Sequence, residues 1–259
     1  MKQKTTVQRI ITSIEEILSG KFSTRVKTSQ TDELSGVVQA VNALADRYQM
    51  AHETIKLLDE QVKRSNLHTI MALVEALNAK DPYTRGHSER VTTYSMLLAK
   101  ALNLSDEEID SIYIASFLHD IGKIGIHDNI LNKPASLTSE EYELVKSHAN
   151  ISSQIVSHLP NLSHIAPAVR HHHERHDGYG YPDGLSGESI PLGARILSIA
   201  DAFDAMTSTR SYRSAFTPQQ ALNEIKQCAG QQFDPELAQI FVDAYNKTHG
   251  GRLPNKRAS

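Results

Sequence analysis

The 259-residue chain contains a single cysteine, Cys228, so no disulfide forms within it, and nothing else marks it as a secreted disulfide scaffold. A reducing cytoplasm is the compartment that fits. It also lacks a positive excess: 27 Lys and Arg stand against 30 Asp and Glu, a net charge of −3, which excludes long nucleic acids as the expected partner. No run approaches the roughly 18 consecutive apolar residues that span a bilayer, and the start Met1-Lys2-Gln3-Lys4 has no apolar core like that of a signal peptide. The chain as given therefore reads as soluble. Convincing alternating strands, fixed-period repeats and low-complexity segments are also missing. The patterns that remain are helical, so the expected fold class is all-α. What the chain does have is 13 histidines, and they cluster with carboxylates.

Val7, Ile10, Ile14 and Ile17 recur at spacings of three and four, and Gly20 follows as a helix C-cap. The polar stretch 21–30 carries only Phe22 and Val26 as apolar anchors. Thr31 then reads as the N-cap of a second helix, with Asp32 and Glu33 in its first turn. From Leu34 the apolar positions run Val37, Val41, Leu44, Tyr48, Ala51, Ile55, Leu58 and Val62. A 3.5-residue period held this long drifts around an isolated helix unless helices supercoil, so a parallel homodimer is expected through this seam. The phase breaks near Ser65, where the apolar set shifts to Leu67, Ile70, Val74 and Leu77. The expected organisation is a tail over residues 1–6, a dimerising helical module over 7–58, a coiled-coil linker over 59–66 and a larger domain over 67–259. Within that domain helices are expected over 91–102, 109–118, 140–159 and 194–206, with Gly/Pro-rich interruptions at 122–134 and 178–193.

Phe117-Leu118-His119-Asp120-Ile121-Gly122-Lys123 puts an imidazole beside a carboxylate, with an ammonium on the same face of a helix. His87, His148, His172, His173 and Asp201 stand among apolar or small residues rather than in charged runs. Imidazole nitrogens with carboxylate oxygens suit first-row divalent ions such as iron or manganese, and the absence of cysteine ligands argues against structural zinc. Seven candidates exceed the needs of one tetrahedral ion. Two ions sharing a bridging carboxylate would use them, an arrangement suited to phosphoryl chemistry.

At these residues the chain resembles the HD-GYP branch of the HD-domain metallohydrolases, from about Leu67 to Tyr245. The resemblance is carried by Tyr83-Thr84-Arg85-Gly86-His87-Ser88, His119-Asp120-Ile121-Gly122-Lys123, Leu131-Asn132-Lys133-Pro134 and Lys146-Ser147-His148. It continues through His172-His173-Glu174-Arg175-His176-Asp177-Gly178-Tyr179-Gly180-Tyr181-Pro182 and Ile199-Ala200-Asp201-Ala202-Phe203-Asp204-Ala205-Met206. It implies an all-helical domain extended by further helices, with metal ligands at His87, His119, Asp120, His148, His172, His173 and Asp201 and Asp120 as the bridge. His171 is read as a neighbour of the site. The implied activity is hydrolysis of cyclic di-GMP to the linear dinucleotide, and in some members on to GMP. Lys123 would offset charge on a phosphate oxygen. Tyr181 would lie at the site mouth, although Gly180-Tyr181-Pro182 also reads as a plain tight turn. Arg210 and Arg213 match a basic pair near the substrate phosphates. Alternatives are a cyclic di-GMP-binding module with weak or no catalysis, and an HD hydrolase of another nucleotide. Members with three metals resemble one another in having a glutamate four residues before the first histidine ligand. Here that residue is Tyr83, a poor ligand, so two ions are expected.

Residues from about Val7 to Leu58 resemble, more loosely, a HAMP signal-relay module, through Gly20, the connector, Asp32-Glu33-Leu34 and Val41-Asn42-Ala43-Leu44. The first helix has no proline, and Ser35 intervenes before Gly36, so a diverged HAMP and a generic coiled-coil dimer both fit. HAMP modules usually follow a membrane span. The resemblance thus implies the cytoplasmic part of an inner-membrane receptor, with a sensor region upstream.

Overall fold

The computed structural model describes residues 2–27, 33–81, 86–209 and 215–249. Ten α-helices are named among them: α1 (Lys2–Leu18), α2 (Ser35–Lys80), α3 (His87–Ala101), α4 (Asp106–Leu118), α5 (Asp128–Leu131), α6 (Ser139–Ser157), α7 (Ala166–Arg170), α8 (Leu192–Thr207), α9 (Pro218–Gln227) and α10 (Pro235–His249). Among the described residues there is no strand, only an isolated bridge between Ala229 and Phe233. The all-α expectation holds. No helix among the described residues is long and apolar enough to cross a membrane. The chain divides into two compact units, Met1–Leu67 and His68–Ser259.

In the first unit a small core gathers Ile10 of α1, Val26 of the connector and Val38 of α2, with Val41 against them. The connector is pinned by one side chain: Asn42 accepts a hydrogen bond from the Val26 amide (2.8 Å) and donates to the Val26 carbonyl (2.9 Å). Arg25 adds an ion pair to Asp46. α1 ends as expected. Gly20 sits at φ +94°, and the Gly20 and Lys21 amides close back on the carbonyls of Ile17 and Glu16. α2 begins at Ser35 rather than at Asp32, because Glu33 and Leu34 form a turn; Thr31 and Asp32 lie outside the described residues. Two apolar stripes remain open to solvent. On α1 the stripe is Val7, Ile11, Ile14 and Leu18; on α2 it includes Val37, Leu44, Tyr48, Ile55, Leu58 and Val62.

α2 does not break at Ser65. It continues to Lys80, and the shifted apolar set Ile70, Val74 and Leu77 is buried in the second unit. There it joins Val91, Leu118, Val156, Val169 and Leu197 in one core. A second core sets Leu98, Ile196, Phe203, Leu222, Ile225 and Phe241 together. The fully buried Phe203 and Phe241 rings meet at 5.2 Å between centroids, and burying a ring of this size contributes about 1.5–3 kcal/mol. α8 lies in both cores, with Ala194, Ile196, Leu197, Ile199, Ala200 and Phe203 all buried. A helix apolar nearly all round is an interior helix, and this one carries Asp201 and Asp204 inward. Serine or threonine capping boxes start α4 (Ser105 with Glu108), α6 (Thr138 with Glu141) and α9 (Thr217 with Gln220). The four helices expected from periodicity match α3, α4, α6 and α8. The short α7 and the terminal α9 and α10 were not among those expectations.

Candidate metal centre

His119 caps the end of α4 and Asp120 follows it, so the motif is not helical throughout: a 3-10 turn over Ile121–Gly125 carries Lys123. In a 3-10 turn residues three apart eclipse. The Lys123 ammonium accordingly meets Asp120 Oδ2 at 2.6 Å. Gly122 sets this turn against α6. A Cβ there would stand 2.1 Å from the His148 carbonyl oxygen, and the Gly122 amide instead donates to Ser152 Oγ at 2.7 Å. That contact brings His148 beside the His-Asp pair.

The seven expected ligand residues converge in two groups. Asp120, His148, His172 and His173 form one, and His87, His119 and Asp201 the other, each with ligand atoms within 4.8 Å of one another. Asp120 reaches toward both: Oδ1 is 3.3 Å from His148 Nε2, while Oδ2 is 3.5 Å from the Nε2 atoms of both His87 and His119. His87 Nε2 also lies 3.4 Å from Asp201 Oδ1.

The tautomers follow from the partners behind the rings. Nδ1 of His119 faces the Ser116 carbonyl (2.7 Å), that of His148 the Val145 carbonyl (2.6 Å) and that of His172 the Val169 carbonyl (2.6 Å). A carbonyl only accepts, so each Nδ1 carries the proton and each neutral ring turns an Nε2 lone pair into the site. The Nε2 atoms of His148 and His172 are 3.5 Å apart. Two lone pairs facing at that distance repel unless a cation lies between them, so the donor set fits divalent metal. Burial lowers the basicity of His148, His172 and His173, the last to about 4, which keeps these rings neutral and able to ligate. His87 moves the other way, to about 10: burial opposes the proton, but hydrogen bonds to Asp120 and Asp204 and the charge of Asp201 outweigh it, so a metal ion held by this ring would displace its Nε2 proton. Burial raises the Asp120 pKa, but the Lys123 ammonium and the hydrogen bond from His87 outweigh it and hold the carboxyl well below the usual carboxylate range.

One positioning residue was given no role in the sequence reading. Asp204, buried on α8, accepts from His87 Nδ1 (2.8 Å) and from Arg90 Nε (2.5 Å), and so orients the first ligand. Its spacing of three from Asp201, matched by the spacing of three from His87 to Arg90, was the available signal. Glu174, also buried, accepts from the Asp183 amide (2.7 Å). His171 stays outside both ligand groups and instead clusters with Glu174 and Asp183, a third set of groups able to hold a cation. It meets Asp183 at 2.8 Å, and Arg170 binds the same carboxylate twice, a clamp that ties down the loop bearing Tyr181. Within that loop a Cβ on Gly180 would stand 2.3 Å from the Arg175 amide nitrogen, so only glycine lets the chain double back. The Tyr181 ring packs over His173 at 4.8 Å between centroids. Tyr181, Lys123 and Arg175 all line a cavity of about 480 Å³ above the ligand groups. Tyr83, Arg210 and Arg213 lie outside the described residues.

A family model described as "HD domain" matches residues 71–237, more than half of the chain. The chain belongs to the HD-domain family. Among curated relatives of this HD domain, the cyclic di-GMP phosphodiesterase response regulator RpfG of Xanthomonas campestris pv. campestris is 41% identical over 184 residues, which cover 70% of this chain and 49% of that protein. The 3′3′-cGAMP-specific phosphodiesterase 3 of Vibrio cholerae is 39% identical over 177 residues, 68% of this chain and 38% of that protein. The chain thus spans about half the length of the first relative and less of the second. Among solved structures, a HDG"Y"P protein from Bdellovibrio bacteriovorus superposes with a TM-score of 0.52 at 18% identity, covering 83% of this chain and 74% of that one, a likeness of fold.

Proposed function

We propose that this chain is a metal-dependent phosphodiesterase that opens cyclic di-GMP to the linear dinucleotide. The observation that carries the reading is the convergence of two ligand groups on the two oxygens of Asp120, with the Lys123 ammonium 2.6 Å from that carboxylate. His87, His119 and Asp201 would hold one divalent ion, His148, His172 and His173 a second, and Asp120 would bridge them; iron or manganese suits these donors. Bound there, the ions would supply positive charge to phosphate oxygens and acidify a bound water.

The chain's own groups complete the chemistry. Lys123, partly buried, keeps its proton because the attraction of Asp120 exceeds the cost of burial, and donates to a non-bridging phosphate oxygen as negative charge builds. Asp204 and the three backbone carbonyls hold the imidazoles in one tautomer, so no ligand must reorganise when substrate arrives. Tyr181, whose phenol burial keeps protonated, walls the mouth of the cavity, and the motif resemblance assigns Arg210 and Arg213 to the substrate phosphates.

The substrate assignment draws on the relative named for cyclic di-GMP, together with the motif resemblance. The relative named for 3′3′-cGAMP favours a second reading, hydrolysis of the mixed dinucleotide. Residues 7–58 act as a HAMP-like relay and dimerise in parallel through the open stripes of α1 and α2. The deciding experiment is turnover of the purified chain, loaded with iron or manganese, on cyclic di-GMP, 3′3′-cGAMP and cyclic di-AMP, with a chelated control. Metal-dependent release of the linear guanine dinucleotide is expected. Binding of cyclic di-GMP without turnover, or turnover of the mixed dinucleotide alone, would replace this reading.

A further inference from the structure

The cavity extends beyond the ligand groups. Along α8 its lining runs from Asp201 through Ala202 to Ala205 and Met206, a little more than one helical turn, about 6–7.5 Å, past Asp201. The same lining includes Glu224 and Cys228, in the last turn and at the C-cap of α9, with Gln232, Phe233 and Arg175. Ala202, Ala205 and the buried Phe233 give this part of the lining apolar surface, and Glu224, Gln232 and Arg175 give it polar groups. Its geometry is fixed by backbone bonds: the His176 amide donates to the Gln232 carbonyl (3.2 Å) and the Asp177 amide to the Gln231 carbonyl (2.8 Å), joining the loop that follows the histidine pair to the turn after α9. The result is a slot about one helical turn from Asp201 whose lining carries both apolar surface and hydrogen-bonding groups, which is the chemistry of a nucleobase site.

The polar groups select among bases. Glu224 is an exposed carboxylate whose hydrogen bond among the described residues is a weak one from Cys228 Sγ at 3.7 Å, so its oxygens are available to a ligand. Arg175 spends Nε and Nη2 on Asp177 at 3.0 and 2.6 Å, which holds the guanidinium in place and leaves Nη1 to donate. A carboxylate accepts from two adjacent donors, and a guanidinium donates to ring acceptors. Guanine alone among the common bases offers adjacent N1–H and N2–H donors together with the O6 and N7 acceptors. Adenine puts an acceptor at N1, which would face the carboxylate and be repelled.

We propose that Glu224 is a specificity-determining residue that reads the N1–H and N2–H edge of one guanine in this slot, with Arg175 donating to the same base. The assignment rests on the cyclic-dinucleotide phosphodiesterase reading above. The test compares kcat/KM of the metal-loaded wild type, Glu224→Gln and Glu224→Lys on cyclic di-GMP, its inosine analogue lacking the N2 amine, and cyclic di-AMP. Asn223→Ala, an exposed neighbour on α9, is the control, and metal content is measured for every variant. The wild type should lose roughly tenfold or more on the inosine analogue, as expected where a charged group is left unpaired. That penalty should vanish in Glu224→Gln and Glu224→Lys, whose preference for guanine over adenine should fall by a similar factor at unchanged metal content, while Asn223→Ala keeps both. A penalty that persists in both Glu224 variants overturns the assignment and leaves the phosphodiesterase reading standing. A wild type without guanine preference overturns it equally. Failure of the wild type to hydrolyse any cyclic dinucleotide removes the underlying reading instead.

Discussion

The two units handle apolar and charged side chains in opposite ways. Among the described residues of 1–67 a small core gathers around Ile10, Val26 and Val38, while Val7, Ile14, Leu44, Ile55 and Leu58 face water. Residues 68–259 close two cores and then place Asp120, His119, His148, His172 and Asp204 inside them. Exposed apolar stripes at heptad spacing are stable only against a partner, whereas buried ionisable groups are stable only when paired or ligated. On the proposed reading, a second chain would complete the first unit and positive charge at its centre would complete the other.

The sharpest test of that contrast is at Asp120. Asp120→Ala should lower hydrolysis by about three orders of magnitude and release much of the metal, because the shared carboxylate is gone. Lys123→Ala should retain the metal and lose about 10²–10³-fold in turnover, the scale for a single charge-stabilising donor. Metal analysis beside kinetics separates the two; metal loss in both, or full activity in either, contradicts the roles given. Asp204→Asn preserves shape but weakens the orienting bond to His87, so metal affinity should fall by about 10–100-fold, read by chelator competition.

A charge in the open stripe probes the other unit. Leu44→Glu or Ile55→Glu should weaken self-association by about tenfold or more, the scale of a charge set in an apolar seam, and leave the metal content of the second unit untouched. Sedimentation of the unaltered chain as a monomer at micromolar concentration would sink the dimer. The smallest effect is expected at Asp234, whose Oδ1 accepts from the amides of Glu236 and Leu237 at the start of α10. Asp234→Ala should cost about 1 kcal/mol in thermal unfolding. Burial raises the Asp234 pKa, but Arg195 and those amides lower it by more. A folded-state pKa below the unfolded value near 3.9 means the contribution is present above that pH and is lost as pH falls through the folded value. The difference in Tm between wild type and Asp234→Ala should therefore narrow in acid.

Much of this was legible in the chain itself. Apolar periodicity located α3, α4, α6 and α8 to within a few residues, because which face of a helix is apolar is a local property. The seven ligand candidates were also legible, since imidazole and carboxylate declare their chemistry by type, and the structure brings them together in two groups. α7 was not: it has only five residues, too short for a periodic signal. Lys123 was placed beside Asp120 by helical spacing, yet a 3-10 turn makes the contact.

The sequence by itself determined the all-α class, the family motifs, the seven ligand candidates and the heptad stripe on α2. Only the tertiary structure decided which imidazole nitrogen carries the proton, that Asp120 reaches both groups and that Asp204 stands behind His87. It alone also showed that α1 turns Ile10 inward while keeping a second stripe open. The reason is range: periodicity and motif record neighbours along the chain, whereas His87 and Asp204 are 117 residues apart and meet only because α3 and α8 pack together.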